Sequence, residues 1–110
     1  MSESEIIEGN KLIAQFLGLT IITDGISLFD TNYKPLAKYH ESWNDLMPVV
    51  EKIESLGYCF RIESNDIFIM DNETSEELIN ADDNKSKIDG VWWACFRFIE
   101  WNNKNNKNKF

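Results

Sequence analysis

The segment from Ile88 to Asn102 constrains the fold more than any other part of the chain. Ile88, Val91, Trp92, Cys95, Phe98, Ile99 and Asn102 recur at the spacing of one helical face, while Trp93, Phe96 and Trp101 lie off that line. A helix that is apolar nearly all round must be covered on more than one side, so the chain is expected to fold in layers about this helix. Trp92 and Trp93 are adjacent and point about 100° apart on a helix. They cannot both face one core centre, and one of them is expected to meet a second layer or a partner.

The other elements read in chain order. Glu3 to Leu17 has Ile6, Ile13, Phe16 and Leu17 on one face, Ser2 with Glu5, or Ser4 alone, as its cap, and Gly18 as a left-handed stop. Gly9 weakens its first turns and points to a later start. Leu19–Thr23 and Ile26–Asp30 read as strands joined at Asp24-Gly25, a strong hairpin signal. The near-continuous apolar run Leu19–Thr23 implies burial on both faces. After a loop containing Pro35, Ser42 caps a second helix with Asp45 three residues on and Gly57 as its stop. Pro48 predicts a kink or a separate first turn there. Tyr58–Ile62 and Ile67–Met70 read as a second hairpin. Asp71 to Asn84 is acidic and the least ordered stretch, with a short strand or turn at Leu78-Ile79. The last helix begins near Asp83 or Lys85. The expected fold is α+β: helix, hairpin, helix, hairpin, helix, with a four-stranded antiparallel sheet covered by helices as an α/β/α sandwich. Residues 1–103 form the single domain, and residues 104–110 an Asn/Lys-rich tail.

Chain length suits this reading, since folding 110 residues buries roughly two thirds of the chain's surface and supports a core. The longest apolar run, Val91 to Phe96, is six residues, where about twenty are needed to span a bilayer. No membrane association is expected. The acidic opening Met1-Ser2-Glu3-Ser4-Glu5 is unlike a signal peptide. Two cysteines, Cys59 and Cys95, make neither a disulfide framework nor a four-ligand zinc site. A reducing, cytoplasmic setting is the expectation.

Charge and motifs narrow the function classes. Nineteen acids against eleven bases give a net charge of −8. Direct nucleic-acid binding, which draws its affinity from cations on phosphates, is not expected of such a body. Only the end of the chain is basic, with Lys104, Lys107 and Lys109. Neither phosphate-binding glycine motif occurs, nor a nucleophile elbow. His40 is the single histidine. Cys95 falls on a core stripe and Cys59 in a strand, where thiols act as small hydrophobes, so no catalytic Cys–His pair is expected. Glu76-Glu77 and Asp82-Asp83 are paired carboxylates without a calcium-loop pattern. No catalytic residue, cofactor or metal ligand is assigned.

The aromatics remain. Four Trp, seven Phe and three Tyr are the oddity of the composition; such residues anchor cores first, and interfaces as well. Tyr33, Tyr39 and Trp43 bracket the loop before the second helix and are candidates for a binding rim. Trp93 and Trp101 are candidates on the last helix.

Three segments carry a resemblance. Asn10-Lys11-Leu12-Ile13-Ala14-Gln15-Phe16-Leu17-Gly18 resembles the opening of small proteins encoded in phages, prophages and mobile elements. Trp43 to Glu54 is similar to their second helix, and Ala94 to Asn102 to their last. The set, about 30 of the 110 residues, resembles the phage ABA-sandwich domain. That resemblance implies an α/β/α sandwich and carries no catalytic residues. The acidic stretch 71–84 and the tail fall outside it.

The leading functional expectation is a non-enzymatic accessory or protein-interaction module of phage or mobile-element origin, acting on a protein partner or on its own copy. One alternative is an acidic inhibitor that imitates nucleic acid and blocks a DNA-binding protein. Another is a small enzyme with an unrecognised carboxylate site.

Overall fold

The computed structural model describes residues 2–23, 28–29, 37–82 and 84–105, with 22–23 and 28–29 as backbone. The chain runs α1 (Glu3–Phe16), β1 (Ile22–Thr23), β2 (Leu28–Phe29), α2 (Trp43–Ser55), β3 (Tyr58–Glu63), β4 (Asp66–Asp71), β5 (Glu77–Ala81) and α3 (Lys87–Asn105).

Local chemistry sets the helix ends. The Ser2 hydroxyl accepts from the Glu5 amide at 3.2 Å, and the Glu5 carboxylate accepts from the Ser2 amide at 3.0 Å, a reciprocal box that selects Ser2 over Ser4 as the cap. Ser42 accepts from the Asp45 amide at 3.3 Å and starts α2. Gly18 and Gly57 follow the ends of α1 and α2 at φ 89° and 103°, a backbone region that side chains disfavour. Pro48 does not split α2, which is continuous from Trp43 to Ser55. The carbonyl that Pro48 cannot engage belongs to Asn44, an exposed residue that water can satisfy.

The strands depart from the expected four-stranded sheet. Among the described residues β1 and β2 pair only with each other, with Ile22 opposite Phe29 and Thr23 opposite Leu28. Residues 24–27 connect them, so the expected Asp24-Gly25 turn lies outside the described residues. Leu19 and Thr20 are exposed and precede β1, so the expected doubly buried strand does not begin there. The main sheet has three antiparallel strands in the order β3-β4-β5. Its third strand comes from the acidic stretch. Asp71 folds that stretch back, its carboxylate accepting from the amides of Glu73 at 2.8 Å and Thr74 at 3.2 Å. Ser75 turns the chain at φ 58°, and Ile79 and Ala81 then enter the core. The second hairpin is thus a three-stranded meander, with a register irregularity between Ile69 and Met70.

The layer order also differs from the sandwich. α3 packs on β4 and β5, α2 on β3 and α3, and α1 on α3. The middle layer is therefore the helix α3, with the sheet on one side and α1 on the other. The expectation that this apolar helix is covered on more than one side holds. Ala94 and Phe98 are buried on the sheet side, where Tyr58 of β3 meets Phe98 edge-on at 4.9 Å. Trp92 points the other way into α1. The sheet's opposite face carries Cys59, Arg61, Phe68 and Met70, with the Arg61 guanidinium 4.8 Å from the Phe68 ring centre. Among the described residues no helix packs on that face.

Packing around Trp92 fixes α1 against α3. A Cβ on Gly9 would sit 2.5 Å from Cη2 of Trp92 and closer still to Cζ2, so the absent side chain is the space that the indole fills. The Trp92 indole N–H then donates to Oδ1 of Asn10 at 2.9 Å. An indole can only donate, so the Asn10 amide nitrogen is left to donate to Nδ1 of His40 at 3.0 Å. The His40 proton therefore sits on Nε2, which faces a Glu41 carboxylate oxygen at 3.4 Å. Lys52 of α2 donates to the last-turn carbonyl of Phe16 and lies 4.6 Å from its ring centre. It supplies the positive charge that α1 lacks at its own C-terminal end.

Candidate functional site

α3 brings Trp93, Phe96, Arg97 and Glu100 onto one face, because residues three and four apart are neighbours on a helix. Trp93 stacks on Phe96 with ring centres 5.7 Å apart and planes 24° apart, and it meets buried Trp92 edge-on at 5.2 Å. The Arg97 guanidinium lies 5.7 Å from the Trp93 ring centre. Trp93 is half-buried, Arg97 is exposed, and Phe96 is buried.

Two surface depressions flank this Trp93–Arg97 ridge, and both residues line both of them. The larger, about 470 Å³, lies between α3 and the first turns of α1, where Ser4, Glu5 and Glu8 form the opposite wall. The smaller, about 290 Å³, is walled by Asn80, Ala81, Asp82 and Asn84. Asn84 is pinned there, its amide nitrogen donating to the carbonyls of Asn65 and Ala81 at 2.8 Å each. Glu5 keeps its charge at the larger wall. The Ser2 amide, and after it the Ser2 hydroxyl, hold its carboxyl below the usual carboxylate range. Four carboxylates and one guanidinium thus surround the two depressions.

The residues expected to bind a partner differ in element and in exposure where they are described. Trp43 opens α2 and is 42% exposed, with Met47 one turn on at 41%. Tyr39 is 3% exposed and belongs to the core, so it offers no side chain to a binding rim. Tyr33 lies outside the described residues. Trp101 packs within the domain, 6.1 Å from the Tyr58 ring centre and 5.8 Å from that of Phe98. Trp93, by contrast, combines partial exposure with the two depressions that it lines. The opposite wall at Ser4, Glu5 and Glu8 escaped sequence reading, because it faces α3 only through tertiary packing around Gly9.

Burial pushes the Cys95 thiol far above its usual range, and such a thiol is unreactive. His40 is engaged by Asn10 and Glu41. No three His, Cys, Asp or Glu side chains converge as metal ligands among the described residues. No described helix is long and apolar enough to cross a membrane.

No family model, curated protein or solved structure matches the chain.

Proposed function

We propose that this protein is a non-enzymatic interaction module, and that it engages a protein partner through the Trp93–Arg97 ridge of α3. One observation carries the reading: a partly exposed Trp, stacked on a buried Phe and flanked by an Arg, stands between two depressions that it lines jointly. Trp and Arg are the residue types most enriched where truncation abolishes binding, and such residues sit in pockets rather than on flat surface. Trp92 beneath it is fully buried and hydrogen-bonded, so Trp93 is held rather than free to reorient. An origin in phages or mobile elements belongs to the same proposal and rests on the three resembling segments alone.

The test is co-purification of the tagged protein from its host, with bound protein and nucleic acid both identified. A stoichiometric protein retained by the wild type and by Glu54→Gln, but lost by Trp93→Ala and by Arg97→Ala, supports the reading. Retention by all variants refutes this face. A partner that binds DNA and is released by added DNA would replace the reading with the nucleic-acid-mimicking one.

A further inference from the structure

We infer that the larger depression takes an arginine or lysine side chain from a basic segment of the partner. This rests on the interaction reading and adds the chemistry of what is bound. The floor is aromatic: Trp93 and Phe96 lie stacked side by side, a surface suited to the aliphatic stem of a long basic side chain. The walls are acidic on both sides, with Glu5 and Glu8 on α1 and Glu100 on α3. Arg97 is the one cation among the lining residues, and it is already drawn onto Trp93 at 5.7 Å. The same ring therefore already attracts a guanidinium within this molecule, as the negative face of an indole does.

The fixed charges agree with this occupant. Glu5 is held ionised by its capping bonds to Ser2. The chain as a whole carries −8, so a basic segment is attracted from a distance and an acidic one is repelled. The cleft supplies what long-range attraction alone lacks, an apolar floor between facing carboxylates. Specificity for the basic segment then comes from charge complementarity across the groove, and position along it from Trp93.

The probe is a capped penta-arginine peptide, titrated into nitrogen-15-labelled protein and followed by amide and indole N–H chemical shifts. The expected result is saturable movement of the Trp93 indole N–H together with the amides of Glu8 and Glu100. The pair Glu8→Gln and Glu100→Gln, both at exposed positions, should weaken binding about fivefold, the scale of two exposed charge pairs. Trp93→Ala should abolish the localised shifts. Capped penta-glutamate should move none of these signals. Shifts of similar size spread over Asp71, Glu76, Glu77 and Asp82, or affinity unchanged in the Glu8/Glu100 variant, would show generic attraction to an acidic protein and overturn the inference. A partner captured through Trp93 while penta-arginine leaves the groove unmoved would overturn it too, and would leave the interaction reading standing.

Discussion

Replacing Gly9 by Ala tests the packing of α1 on α3 with opposite signs for two lines of reasoning. In an exposed helix interior the change stabilises by about 1 kcal/mol, since Ala is the better helix former. Here the new methyl would lie 2.5 Å from Cη2 of Trp92 and nearer still to Cζ2. Carbon atoms prefer about 3.5–4 Å, so the ring must retreat by about 1 Å or more. The indole is completely buried and cannot retreat freely. Overpacking of this kind costs about 1–3 kcal/mol. Displacing the ring also strains the 2.9 Å bond from its N–H to Asn10, worth about 0.5–1.5 kcal/mol. After the helix gain is subtracted, the net loss is about 1–3 kcal/mol, a fall in Tm of roughly 4–12 °C for a domain of this size. Urea denaturation followed by circular dichroism reads it directly. In a Trp92→Leu background the methyl has room, and the same substitution should turn neutral or stabilising. Stabilisation by Gly9→Ala in the wild-type background would refute the packing of Trp92 on Gly9.

Four further outcomes follow from the same structure. Asn10→Ala leaves the buried Trp92 N–H without an acceptor and should destabilise by about 1–3 kcal/mol in urea titration. Lys52→Met removes the donor to the Phe16 carbonyl and should lower stability by about 1–2 kcal/mol, while leaving the stem's packing largely in place. Glu5 has a folded pKa below its ordinary 4.5, so its stabilising contribution is fully present above that value and is lost as pH falls through the lower folded value. Glu5→Gln should therefore be less stable than wild type at pH 7, and the gap should close as the pH is taken well below 4.5 in a stability titration. With a thiol reagent at pH 8, Cys95 should remain unmodified in the native protein and react only when denaturant opens the core; modification of native Cys95 would show that the α3 core is open.

What the sequence made legible was mostly local. Ser2 with Glu5, Ser42 and the two stop glycines mark helix ends through bonds spanning a few residues, and the observed ends lie close to those read from them. α3 betrayed its double coverage because a helix cannot hide apolar residues on all sides without two neighbours. Sheet membership was less legible. Leu19–Thr23 looked like a buried strand, yet only Ile22 and Thr23 of it pair, with Phe29 and Leu28 of β2, and among the described residues this pair does not join the main sheet. β5 was legible only as a short strand or turn at Leu78-Ile79, since Ile79 and Ala81 alone of its five residues are buried and its flanks are acidic. Gly9 read as a weak point in a helix and is instead the space for Trp92, eighty-three positions away in the chain. Tyr39 read as a rim residue and is core. Of the candidate site, Trp93 was accessible from the angle between adjacent helical residues, whereas its facing wall on α1 depends on how two distant helices pack.

The most direct test of the interaction reading places a photo-crosslinking amino acid at position 4, in the exposed wall that faces Trp93, in the living host, with position 47, on the exposed face of α2, as comparison. The account predicts one discrete protein adduct from position 4, absent when Trp93 is also replaced by Ala, and none of that mass from position 47. A discrete adduct from position 47 with none from position 4 would contradict it and move the interface to α2.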